Sequence, residues 1–369
     1  MRPFSSDSHS PLLGLKGFAI LLVLLYHCVP SLYKIGTGIC WIGVDLLLVL
    51  LGYHITSVLL TLKSRPEALS HFFLRHTVPL LVLYGIGMAI FFLVLPFCMP
   101  LDWIRDYLAY YDHQIWYWLG ISNWLVTFQH HWPVVVKPIL DHTWLFSLEI
   151  QLYLLWPFAV LFLPRRFLFP VCVFLILFSF VSRNLFENRG LNYAVSYVCT
   201  LGRLDGVCLG ALVALIAKEE QKNTKWFQYA PWTFYIAVVL LLGLIVGSRS
   251  LSLKHPYFIR YGYTVLAILF TALLLLSLKE GTWAQKLTKN RAFLFLGNYG
   301  ESIYLVHWFL YILLTDFFSL KFGFFSSPLL QSLANSMACL LCILAVAFVL
   351  EKLTRTLVGK PTPAATSLP

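Results

Sequence analysis

The sequence predicts an all-α, polytopic membrane protein: a bundle of about ten transmembrane helices with both termini cytoplasmic. Three observations lead there. Hydrophobic residues make up 59% of the 369 residues, with a mean hydropathy of +0.78. Charged residues are 12%, against about 25% in soluble globular domains. The apolar residues gather in runs near the ~20 residues that a spanning helix needs. The same composition excludes a disordered chain, a coiled coil, collagen and a small disulfide scaffold.

Spans are expected at 12–30, 41–62, 77–97, 144–163, 167–182, 204–217, 231–248, 260–278, 293–314 and 329–350. The first run ends at Pro30 without a small-x-small cleavage site, so it reads as a retained helix rather than a signal peptide. The second opens with Gly43-Val44-Asp45. Residues 100–142 are aromatic, polar and irregular, and suggest an outer loop with one interfacial helix. Tyr107, Tyr110, Tyr111, Trp116, Tyr117, Trp118, Trp124 and Trp132 suit the headgroup level there. A segment over about 103–125 that enters and leaves the bilayer on one side is an alternative. The fourth span opens with His142-Thr143-Trp144 and the sixth with Arg203-Leu204-Asp205-Gly206. Polar or Pro/Gly-rich breaks separate most of the runs. With alternate sides assigned, 17 of the 27 Lys and Arg fall with the two termini and 10 opposite, which makes the first side cytoplasmic. Residues 1–360 form a single domain and 361–369 a disordered tail.

The net charge of +11 invites a nucleic-acid reading, but the basic residues lie mainly between the apolar runs. The eight cysteines lie mostly inside those runs. Cys339 and Cys342 have a metal-like spacing with no second ligand pair, so buried free thiols and no metal are expected.

Ionisable residues at membrane depth cost a few kcal/mol and need a partner or a task. His27, Asp45, His142, Glu149, Asp205 and His307 all fall in the outer half, from five helices. A neutral imidazole can take a hydroxyl proton, and a carboxylate can orient it. Lys16 lies about 16 Å below His27 along the first span, and Lys16 and Arg75 sit at the inner face, where anionic phosphates are held. The structural alternatives are ordinary. Asp45 pairs with Arg203 or Lys34, Asp205 with Arg203, and Lys16 and Arg75 anchor the inner face. On these residues alone, a membrane enzyme and a proton-coupled transporter stay open.

Five stretches in order resemble the acyltransferase-3 family of integral membrane O-acyltransferases. LLGLKGFAILLVLLYH is similar to the family's L-D-G-L-R-G run ending in Tyr-His, and WIGVDLLLVLLGYHI to its G-V-D segment. HTWLFSLEIQLYLLWP matches W-S-L-S-V-E-E-Q-F-Y-L-L-W-P through Trp144, Ser147, Glu149, Gln151, Tyr153, Trp156 and Pro157. RLDGVCLGALVA resembles R-x-D-G-x-x-x-G, and LGNYGESIYLVHWFL resembles L-G-x-x-S-Y-S-L-Y-L-V-H through Gly297, Ser302, Tyr304 and His307. The resemblance implies transfer of an acyl group, usually acetyl, from cytoplasmic acyl-CoA (acetyl-CoA). The acceptor it implies is a hydroxyl of a glycan or lipid-linked saccharide at the outer face of a bacterial inner membrane. No permanently bound cofactor is implied.

It also implies His27 as the base, with Glu149 as its partner or an acceptor ligand. Lys16 and Arg75 would bind acyl-CoA, and Asp45, His142, Arg203, Asp205 and His307 would support the acceptor site. The chain departs from the pattern in four places. Lys16 replaces the first-span arginine, which keeps the charge and loses the planar fork. FFLRHTVP holds one arginine where the family has R-x-x-R, and Leu13 and Ile150 replace acids. No appended SGNH-type esterase domain is expected. An exporter of a glycan-related or acylated product, and an inactive scaffold for glycan assembly, are the rival readings.

Overall fold

A computed structural model describes residues 11–359 apart from 98, 100–102, 135–136, 220–224, 251 and 322–326. The expected tail at 361–369 and Cys98 therefore lie outside the described residues. The first half of the chain builds α1 (Pro11–Cys28), α2 (Gly43–Leu62), α3 (Ala68–Phe97), α4 (Ile104–Tyr111), α5 (Gln114–Trp118), α6 (Ser122–Gln129) and α7 (Trp144–Phe162). The second half builds α8 (Arg165–Asn188), α9 (Tyr193–Val198), α10 (Leu204–Glu219), α11 (Lys225–Ser248), α12 (Phe258–Leu278), α13 (Trp283–Thr288), α14 (Arg291–Asn298), α15 (Gly300–Lys321) and α16 (Pro328–Val358). Among the described residues, eight segments are long and apolar enough to cross a membrane. They are α1, α2, α3, α7, α8, α11, α12 and α16. The shorter α10 and the helix α15 complete the row of expected spans. This is an all-α integral membrane protein.

Two glycine seams set the packing. A Cβ on Gly14 would lie 2.0 Å from the Thr288 carbonyl oxygen, and one on Gly17 1.8 Å from that of Phe293. Gly297 returns the contact, with a Cβ 2.0 Å from the Leu13 oxygen. The Gly-x-x-Gly of the first span is thus the surface on which α13 and α14 rest. Gly52 and Gly210 do the same between α2 and α10, each 1.9 Å from the opposing carbonyl oxygen (Val207 and Val49). Close backbone approach through small residues is how helices associate in lipid. Gly210→Leu is expected to lower stability by about 3 kcal/mol or more, the upper end of overpacking costs. Thermal melting in detergent checks this against Gly243→Leu, where nothing lies within 4 Å and no change is expected.

Several expected boundaries move. The third span begins at Ala68 rather than 77 and contains two π turns, Phe73–Thr77 and Ile90–Val94. The fifth runs to Asn188 rather than 182, because one buried arginine does not end an apolar helix when a partner waits for it. The ninth is two helices broken at Tyr299, between Gly297 and Gly300. The last extends to Val358.

The segment before α7 is also more than a loop with one interfacial helix. It folds into α4, α5 and α6, and Tyr107, Tyr110 and Tyr117 are buried in the core rather than at a headgroup level. Burial, then the neighbouring Asp141 carboxyl, holds the Tyr110 phenol well above its usual range. It stays a neutral donor, 2.9 Å from Asp141. Ser122 and Asn123 tie this layer to α7 through Ser147 and Gln151.

Candidate functional site

The polar interior has two ends, joined by α15. At the end where α1 begins, the Lys16 ammonium, buried on α1, donates to the Glu301 carboxylate on the first turn of α15. Both line a cavity of ≈ 40 Å³ with Glu149 of α7 and Tyr304 of α15. A second cleft, of ≈ 640 Å³, lies beside it between α3, α7 and α16. His76, Tyr153, Tyr299, Lys352 and Arg355 line it, and Glu301 lines both spaces. In its wall, Glu351 accepts from the Ser302 hydroxyl at 2.8 Å and from Arg355 at 3.0 Å.

At the other end three histidines meet. The His307 ring, fully buried on α15, lies 5.0 Å from the His27 ring of α1 and 5.1 Å from His142. The Trp308 indole packs on His27 at 4.8 Å. This end of α15 is pinned to the segment that enters α7 by three hydrogen bonds. His142 Nε2 donates to the Leu305 oxygen at 2.9 Å, Tyr304 Oη to the His142 oxygen at 3.1 Å, and Trp308 Nε1 to the Pro138 oxygen at 2.7 Å. Tyr304 therefore touches both ends. Among the described residues, no group of three His, Cys, Asp or Glu is disposed to hold a metal.

To one side, two buried ion pairs knit α2, α8, α10 and α12. Arg203 Nη2 donates to Asp45 Oδ1 at 2.7 Å, and Arg183 Nη2 to Asp205 Oδ2 at 2.8 Å. The same Asp205 oxygen accepts from the Thr264 hydroxyl at 2.8 Å, and Arg183 also reaches Ser179 and the Gly202 oxygen. The Arg203 guanidinium lies 4.3 Å from the centre of the Tyr263 ring, with Tyr197 and Trp144 further out. Desolvated cation–π contacts of this kind contribute about 2 kcal/mol.

The structure thus gathers His27, His142 and His307, as the sequence placed them. It separates Glu149 from His27. Glu149 was placed in the outer half, but it lies at the depth of Lys16 and Glu301, lining the same cavity. Asp205 pairs with Arg183 rather than its neighbour Arg203, which takes Asp45 instead. Arg75 lies half-buried on the first π turn of α3, while its neighbour His76 lines the cleft. Three residues of the interior stood outside the expected site: Glu301, Tyr304 and Arg183. Glu301 was visible as an acid at membrane depth, and Tyr304 as part of the Y-L-V-H run. Arg183 was assigned to a loop by a span ended too early.

An integral membrane bundle whose interior carries imidazoles at one end and a lysine–carboxylate pair at the other defines a class of membrane protein built for polar chemistry. The chain belongs to the acyltransferase-3 family, whose acyltransferase domain matches residues 12–352. It is 25% identical over 309 residues to the peptidoglycan O-acetyltransferase OatA of Listeria monocytogenes serovar 1/2a, which covers 80% of this chain and 48% of that protein. It is 24% identical over 325 residues to the O-acetyltransferase OatA of Staphylococcus aureus strain NCTC 8325, covering 83% and 51%. The chain spans about half the length of these curated relatives. No solved structure matches it.

Proposed function

We propose that this chain is a membrane O-acyltransferase, usually transferring acetyl, that takes its acyl group from acyl-CoA at the cytoplasmic end where α1 begins. The acceptor is a hydroxyl of a glycan or lipid-linked saccharide at the opposite face of a bacterial inner membrane. One observation carries the reading: Glu301, Tyr304 and His307 follow one another on α15, Glu301 lining both spaces, Tyr304 the smaller one, and His307 lying 5.0 Å from His27. His27 takes the acceptor hydroxyl proton. The oxygen then bonds to the acyl carbon as the carbon–sulfur bond breaks, and the proton ends on the released CoA thiol.

Lys16 and Arg75 are the cations that the family pattern gives to CoA. The cleft adds Lys352 and Arg355 at its rim, where phosphates sit in water while the thioester arm extends along α15. Glu149 joins Glu301 in holding Lys16. This agrees with its position better than a partnership with His27 does. Asp45, Arg203 and Asp205 act through packing, by fixing the helices around the histidines.

The test is acyl transfer by purified protein in liposomes, with radiolabelled acetyl-CoA outside and a lipid-linked saccharide acceptor. Labelled ester and free CoA are expected. Lys352→Ala/Arg355→Ala should raise KM for acetyl-CoA about tenfold or more, from loss of charge-assisted bonds worth about 1.5–3 kcal/mol each. Movement of a glycan product across the bilayer with no thioester cleavage would overturn the reading in favour of an exporter.

A further inference from the structure

The histidines mark the place where α1 stops and α15 carries on. His27 stands one residue before the end of α1 at Cys28, whereas α15 runs on from His307 to Lys321. That leaves a helical wall of about 20 Å beyond the base. At this step stand four aromatic residues, in two stacked pairs that both reach His27. Tyr26 lies 4.9 Å from the His27 ring at 85° to it, and Tyr33, on the 3-10 turn Pro30–Ile35, stacks on Tyr26 at 5.5 Å and 20°. Trp308 lies 4.8 Å from His27 at 61°, and Tyr311, further along α15, is nearly parallel to Trp308 at 6.1 Å and 13°. Burial, then the nearby phenols of Tyr26 and Tyr311, hold the Tyr33 phenol above its usual range. Tyr33 is therefore neutral and close to both pairs.

None of the four rings is closed into the core. Tyr26, Trp308 and Tyr311 are half-buried, and Tyr33 is 38% exposed. Two of their polar tips are turned inward: Trp308 Nε1 donates to the Pro138 oxygen at 2.7 Å, and Tyr33 Oη donates to the Tyr26 carbonyl oxygen. An interfacial belt has the opposite habit, with rings in hydrocarbon and tips among headgroups and water. Here the tips are spent on backbone, which fixes the rings and leaves carbon faces for whatever enters. A π face is electron-rich, and the C–H bonds of a sugar ring, on carbons that carry oxygen, are suited to it. A pyranose with equatorial hydroxyls gathers those bonds on two flat apolar faces. Two pairs of rings can meet more than one such sugar.

We propose that the Tyr26–Tyr33 and Trp308–Tyr311 pairs form a stacking platform that binds an acceptor of at least two pyranose rings beside His27. The inference rests on the acyl-transfer reading for the role of His27, and deepens it by naming the acceptor: ring sugars of gluco configuration, not an open-chain polyol or a lipid hydroxyl. An acceptor held through its carbon faces keeps its hydroxyls free at the rim. His27 Nδ1 lies 3.1 Å from the Val23 oxygen, so the neutral ring keeps its lone pair on Nε2 for such a hydroxyl. The four rings determine specificity and take no proton. Trp308 and Tyr26 touch the base, so the sugar that rests on them is the one acylated, and Tyr33 and Tyr311 hold its neighbour.

Two measurements on the full-length protein test this. The first is saturation-transfer NMR in detergent, irradiating aromatic protons, with chitotetraose (four β-linked N-acetylglucosamine rings) as the probe. Transfer concentrated on the ring C–H protons is expected, with a marked loss in Trp308→Leu/Tyr311→Leu and none to sorbitol, an open-chain polyol. Leucine keeps the surface apolar, so rings that serve only to meet lipid would be replaced without effect on the sugar. Equal transfer to both probes, transfer confined to the detergent, or a double variant that binds like wild type would overturn the proposal whether or not acyl transfer is observed.

The second is acyl transfer from acetyl-CoA to the same saccharide. Trp308→Leu, Tyr311→Leu and Tyr33→Leu are each expected to raise KM for chitotetraose about three- to tenfold, the size of one aromatic contact, with KM for acetyl-CoA unchanged. Tyr311→Phe keeps the π face and should restore the wild-type KM. Leucine variants that lose kcat with both KM values unmoved would reduce the rings to packing and overturn the platform. If wild-type protein transfers no acyl group, the proposed function fails and the NMR experiment alone decides the platform.

Discussion

Replacing His27 with alanine is expected to lower kcat for acyl transfer by about 10²- to 10⁴-fold, the range for loss of a positioned general base. The protein should stay folded. His27 is half-buried on the last turn of α1, with one backbone hydrogen bond and no ion pair among those resolved. The ring packs between Trp308 and His307, so truncation leaves a gap and costs some stability. Melting in detergent separates that loss from the loss of rate. Binding of acetyl-CoA should be retained, because the cationic groups lie at the other end of the helix. Activity within threefold of wild type would remove His27 from the chemistry and shift attention to Glu149 and Glu301.

Arg183→Leu is the substitution with the largest expected effect on stability. The guanidinium is wholly buried and bonded to Asp205, Thr264, Ser179 and the Gly202 carbonyl. Removing one member of a buried pair leaves the other charged and desolvated, at about 3–5 kcal/mol. The Asp205 carboxylate would keep the Thr264 hydroxyl, the Gly206 amide and the more distant Arg203. Much of the protein is expected to be lost from the membrane fraction, and the remainder should melt well below wild type. Replacing both partners with leucine should recover part of that loss, since an apolar pair of similar volume is often neutral or better. A double variant as unstable as the single one would mean that the pair fixes the helix geometry itself.

The row of spans was legible because apolar runs of helical length have few other uses. The glycines of L-G-L-K-G and of R-L-D-G-V-C-L-G were legible as motifs, but their reason lies in neighbours far along the chain. Gly17 meets Phe293 and Gly210 meets Val49, and no local signal carries that. The histidines were legible for a simple reason: three imidazoles at one membrane depth have few places to go.

What failed did so across helices. Counting from the start of α7 put Glu149 in the outer half with His27, whereas it shares the depth of Lys16 and Glu301, and only the packing of α7 against α1 and α15 sets that. Arg183 was lost because the span was ended at 182, although the helix runs on to Asn188. Residues 100–142 were opaque because short helices lack a period, and an aromatic ring reads alike at an interface and in a core.

One helix sets the scale of the site. Glu301, Tyr304 and His307 follow one another at intervals of three residues along α15. With a rise of about 1.5 Å per residue, the lysine–carboxylate pair and the histidines are about 9 Å apart along the axis. That helix is anchored at both places, to Lys16 at one and to His142 and Pro138 at the other. It is a ruler. Under the proposed function, the gap that an acyl group would bridge between a donor on one side of the membrane and an acceptor on the other is a fixed number of backbone steps. Changes in the loops would alter who is admitted at either end and leave the length of the crossing as it is.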